Sequence, residues 1–263
     1  GLLGQAEETA DACRSDENPG LDLGLALGTG WLEGRDKVVV PEANGFGLWL
    51  EQLLAESTGK QGKGLIPAPG ESAEGDDRQA YEVRIGDVAD LGAEFYRWEF
   101  ATAVAATLLE INPFDQPNVQ ESKDRTAALL SGHGRGQTPD VPEGDVDELL
   151  AGAQEGDYIA VQAFIDPARE SGLDALVARA RGTGCVVTKG LGPRYLHSTG
   201  QLHKGGPPEG RFIQVVDDPG EEVDIPARPF GFAQLIGAQA AGDYEALKER
   251  GRPIVRARLE EVA

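Results

Sequence analysis

The sequence contains no methionine, two cysteines, three histidines and few basic residues for its many acidic ones, 24 against 45. Each shortage excludes something. Cys13 and Cys185 are too few for a disulfide framework, so a reducing, cytoplasmic compartment is expected. The net charge of -21 sets up a negative field that repels phosphate backbones and anionic lipid, which argues against nucleic acid and membrane partners. No apolar run approaches the roughly 20 residues that span a bilayer. The longest, ATAVAATLLEI, has helical spacing, and the acidic opening GLLGQAEETADACRSDE is not a secretory signal. A chain without an initiating methionine is expected to be processed or to be the C-terminal piece of a longer protein. No His/Cys group has the spacing of a metal site, so no metal and no cofactor are expected.

What is present is an ordered alternation. Two helices are expected over 2–32, broken at Asn18-Pro19-Gly20. Lys37 to Val40 reads as a strand. Residues 44–57 read as a helix with Phe46, Trp49, Leu50, Leu53 and Leu54 on one side and Gly59 as its stop. Residues 64–67 and the alternating Tyr81-Glu82-Val83-Arg84-Ile85 read as strands, 93–110 as a long helix and 117–128 as another. Beyond the Gly/Pro/Asp-rich stretch 132–147, strands at 158–165, 185–188, 211–216 and 253–259 alternate with helices at 171–181 and 231–250. This pattern predicts a layered α/β fold with a mainly parallel sheet. The domains are expected at 1–131 and 151–263, the second a smaller α/β domain, with a linker over 132–150.

Two motifs could carry chemistry. In EQLLAESTGK, Gln52, Glu56 and Lys60 recur at four-residue spacing and share a helix face. On spacing alone this is either a solvated stripe or the seat of a catalytic carboxylate. A carboxylate at a helix C-terminus meets the negative end of the dipole, which suits a general base. In INPFDQPNVQESK a helix ends, a proline-bounded turn exposes Asp115 and Gln116, and Lys123 follows on a new helix. The alternative is an ordinary helical corner with a surface lysine.

Together and in this order, the two motifs resemble the phosphoglucose isomerase family, with its Gln-x-x-x-Glu-Ser-x-Gly-Lys and INxFDQxxVExxK segments. Asp115, Gln116, Val119 and Lys123 match, while Gln120-Glu121 departs from the family's usual Glu then small residue. Residues 37–123 resemble that family's second sugar-isomerase (SIS) domain. GPRYLHSTGQLHKGGPPEGRFIQVVDD resembles the C-terminal part of bacterial transaldolase–phosphoglucose isomerase fusions. The resemblance implies glucose-6-phosphate isomerase activity in glycolysis and gluconeogenesis, with a sugar-phosphate substrate and compatibility with a homodimer. It implies Glu56 as the base that carries a proton between C1 and C2, Gln52 and Gln116 as sugar-binding groups, and Lys123 at the ring oxygen. No histidine lies between Glu56 and Lys123, so ring opening would fall to His197 or His203 in a loop that also gathers Gln201, Lys204 and Arg194 around an anion. His133, in SGHGRG, is expected to be solvated. The alternative function is a sugar-phosphate binding module without turnover.

Overall fold

Asn18 fixes the start of the second helix: its side chain accepts from the amides of Gly20 and Leu21, and Pro19 supplies a helix-ready φ. The computed structural model describes residues 1–41, 45–132, 137, 140–218 and 220–263. The chain divides into two units, Gly1–Gln116 with Gly205–Pro207, and Pro117–Lys204 with Pro208–Ala263. The helix after Pro117 therefore belongs with the second unit. The expected helix start at Asn44, and the expectations for 133–136 (His133 included) and 138–139 of the linker, lie outside the described residues.

In the first unit the elements run α1 (Leu2–Ala12), α2 (Pro19–Leu32), β1 (Lys37–Val39), α3 (Phe46–Thr58), β2 (Ile66–Pro67), β3 (Arg78–Ala80) and α4 (Asp90–Leu108). The sheet is parallel in the order β2-β1-β3. Its core joins Val38 and Val40 to Leu50 and Leu54 of α3 and to Trp98, Ala101 and Ala105 of α4. Helices α2 and α4 approach through a glycine at every fourth position. A Cβ on Gly20 would lie 2.8 Å from Phe100, one on Gly24 2.5 Å from Val104 and one on Gly28 2.9 Å from Leu108. Only the missing side chains let the backbones come this close.

Residues 81–85, expected as a strand, are not one. β1 instead takes Arg78, Gln79 and Ala80 as its partners, and the Tyr81 amide makes the last bond, 2.9 Å to the Val39 carbonyl. Beyond it the polar backbone is satisfied by side chains. Glu94 accepts from the Arg84 amide at 2.8 Å, and Arg97, which also donates to Glu94, reaches the Glu82 carbonyl at 3.2 Å. Tyr81, Val83 and Ile85 still turn toward the core. The period of two reports one-sided burial, and here it occurs without a ladder.

The second unit contains α5 (Pro117–Gly132), α6 (Val146–Ala151), β4 (Tyr158–Phe164), α7 (Asp174–Arg181), β5 (Val186–Leu191), α8 (Gly200–Gly205), β6 (Gly210–Val216), α9 (Phe232–Glu249), β7 (Ile254–Arg258) and α10 (Leu259–Val262). The last residue of α8, Gly205, belongs to the first unit. The four strands are parallel in the order β5-β4-β6-β7. One face, with Ile159, Val161, Val187, Ile213 and Val215, is covered by α6, α7 and α10. The opposite face carries Phe164 and Gln214, which meet Tyr195 and α9. The chain is thus α/β with parallel sheets, as its alternation predicts.

Candidate functional site

The first unit holds Gln52, Glu56 and Gln116. Because α3 completes a turn in 3.6 residues, Gln52 and Glu56 are neighbours. Gln52 Nε2 donates to Glu56 Oε2 at 3.2 Å on the open side of the helix, with Glu56 half-buried. Leu50 and Leu54 turn inward. Gly59 follows as the cap with φ -74°, so the stop does not use a left-handed residue.

Lys60 does not continue the solvated stripe. It is 1% exposed, and its ammonium donates to the Asn112 carbonyl at 2.9 Å, to Asp115 Oδ1 at 3.0 Å and to the Asp115 carbonyl. Lys63 likewise donates to the Leu109 carbonyl at the end of α4, at 2.7 Å. The first motif is therefore joined to the opening part of the second, residues 111–116, inside one unit by a buried cation. Gln116, exposed, is the residue after the one that Lys60 holds. An ammonium has three donors and needs all three satisfied when buried, which explains its convergence on three oxygens.

Lys123, His197 and His203 belong to the second unit. Lys123 is exposed on α5. The expected loop around the two histidines is largely helical: a 3-10 turn, Arg194–His197, followed by α8. His197 is exposed on the turn, whereas His203 is 1% exposed, so the two do not converge. The His203 ring lies among Tyr158, Tyr195 and Phe212, with Nδ1 3.2 Å from the Tyr158 hydroxyl. Burial, followed by the charges of Lys204 and Arg252, holds its pKa well below the ordinary histidine value. Burial of this kind favours the neutral imidazole.

Nor is Lys204 free for an anion. Its ammonium lies 2.6 Å from Asp243 Oδ1, both side chains being 1% exposed, and donates to the Gly200 carbonyl at 3.2 Å. Tyr195 donates to the other oxygen of Asp243 at 2.7 Å. Burial and the adjoining Asp243 carboxylate push the Tyr195 phenol well above its usual range. Gln201 is spent on the start of α5, accepting from the Asn118 amide at 2.9 Å and donating to its side chain at 2.8 Å. The segment expected to gather cations around an anion thus anchors the helix that carries Lys123.

Asp243 escaped the sequence reading, and Lys60 entered it only as the end of a polar stripe, not as a buried cation. A lone aspartate among the alanines of AQAAGDYEAL was a signal that a buried cation was waiting for it. Glutamines at matched places in IAVQAFI and FIQVV were another: Gln162 and Gln214 stand side by side in the sheet. Among the described residues no group of three or more His, Cys, Asp or Glu side chains could hold a metal ion. No described helix is long and apolar enough to cross a membrane.

No family model matches the chain. No curated protein matches it. A solved structure, the crystal structure of hypothetical protein TT0462 from Thermus thermophilus, is similar at 15% identity, covering 98% of this chain and 83% of that one, with a TM-score of 0.32.

Proposed function

We propose that the chain belongs to a glucose-6-phosphate isomerase of the phosphoglucose isomerase family, acting on a sugar phosphate in the cytoplasm, with a homodimer as the working form. The observation that carries this reading is the convergence of Lys60 on Asn112 and Asp115. It fastens the segment bearing Gln52 and Glu56 to the segment bearing Gln116, the two stretches on which the family resemblance rests.

The chemistry needs one carboxylate. Glu56 takes the proton from C2 of glucose 6-phosphate, giving a cis-enediol, and returns it to C1 to give fructose 6-phosphate. Gln52, already bonded to Glu56, aligns the carboxylate and has a carbonyl left for a sugar hydroxyl. Gln116 contributes a second amide. Lys123 is assigned to the ring oxygen, where a cation stabilises charge as the ring opens. The exposed His197 suits proton transfer in that step better than His203, which has no exposed edge.

The test is conversion of fructose 6-phosphate to glucose 6-phosphate by the full chain, with deuterium exchange at the sugar's C1 and C2 as a second readout. Turnover that Glu56→Gln abolishes supports the reading. Binding of fructose 6-phosphate without exchange would replace it with a sugar-phosphate binding module.

A further inference from the structure

In the second unit β4, β6 and β7 end at a cavity of about 800 Å³, between the first turns of α9 and the segment 140–143. Parallel sheets place ligands beyond the carboxyl ends of their strands, and small-molecule sites span roughly 300–1,000 Å³. One wall is apolar, formed by Phe164, Val216 and Ile236. The Phe164 ring is fixed: a Cβ on Gly192 would come within 2.5 Å of it, and Tyr195 meets it edge-on at 5.6 Å.

Opposite charges line the rest. Arg256, 9% exposed, stacks over Tyr244 at 5.6 Å and uses Nε and Nη2 on Gln214 Oε1. Among the described residues nothing accepts from its Nη1; the guanidinium lines the cavity, where the charge of Asp140 also bears on it. Around the rim, Asp217 pairs with Arg169 and Glu143 with Arg258, while Asp166 and Asp218 stand in no ion pair among the described residues. Carboxylates only accept hydrogen bonds, and Arg256 only donates.

This arrangement selects against a phosphate. The amides at the start of α9 would be the natural anion site. Glu222 already takes them, from Ala233 at 2.8 Å and Gln234 at 3.1 Å. The excess of rim carboxylates adds repulsion. A neutral ligand rich in hydroxyls escapes both penalties: its hydroxyls donate to Asp166 and Asp218, accept from Arg256, and its carbon face lies on Phe164 and Ile236. We propose that this cavity is a binding site for a neutral polyhydroxylated small molecule, a free and unphosphorylated sugar. It is independent of the site assigned around Glu56.

Saturation-transfer NMR of the full chain with millimolar D-glucose and D-ribose tests this. Transfer to at least one sugar is expected. Ala233→Trp fills the cavity from the first turn of α9 and is expected to remove the signal. Asp218→Leu, on an exposed loop, is expected to weaken it in a protein whose fold is undisturbed. Absence of transfer to both sugars, or a signal indifferent to the folded variants, would overturn the assignment.

Discussion

Lys60 and Asp115 are 55 residues apart in sequence, yet the lysine ammonium lies 3.0 Å from the aspartate carboxylate, with the lysine buried and the aspartate half-exposed. The same ammonium holds two backbone carbonyls. The bond therefore fixes a turn as well as pairing charges. Lys60→Met fills the space but leaves those carbonyls without a donor, at about 1–3 kcal/mol. Urea unfolding should show a lower midpoint. An unchanged midpoint would mean that water replaces the ammonium at no cost.

The buried pair Lys204–Asp243 should behave asymmetrically. Lys204→Met strands a carboxylate in the interior, and breaking such a pair costs about 3–5 kcal/mol. Adding Asp243→Asn removes the stranded charge, so the double variant should recover a large part of the loss. Equal destabilisation of single and double variants, measured by denaturant unfolding, would contradict this account of the pair.

His203 makes stability depend on pH. Its folded pKa lies well below the ordinary value, so between the two values the unfolded chain binds a proton that the folded chain refuses. The contribution is fully present above about pH 6.5 and falls as pH drops below it, by up to about 1.4 kcal/mol per pH unit. His203→Phe keeps an aromatic ring and should flatten this part of the profile. Comparing unfolding free energies at pH 7.5 and 5.5 for both proteins checks it.

Gly24→Ala tests the α2–α4 contact. Alanine favours a helix over glycine by about 1 kcal/mol. Its Cβ, however, would stand 2.5 Å from Val104 Cβ and 2.6 Å from the Ala101 carbonyl, and one of those is backbone. Overpacking of this kind costs about 1–3 kcal/mol, so net destabilisation is expected. A raised melting temperature would show that the helices part without loss.

Local patterns were legible in the sequence. The Asn18-Pro19 helix start, the glycine after α3, the apolar strands β4 and β6 and the long α9 follow from capping, turn chemistry and hydrophobic period. These act over a few residues and need no partner. The same logic misjudged 81–85, because alternation reports which side is buried and not whether a strand lies alongside. It also placed Gln52 and Glu56 on one face of α3, which is fixed by helix pitch.

Only tertiary structure decided what the polar groups do. Lys60 looked like the end of a solvated stripe and is buried against oxygens contributed from beyond position 111. His203 and Lys204 looked like anion ligands, and are respectively a core ring whose burial favours the neutral form and half of a buried ion pair. Sequence spacing sets the direction of a side chain relative to its own helix. Whether a charge there meets water, carbonyls or an opposite charge depends on segments distant in the chain, and that encounter fixes both its energy and its chemistry.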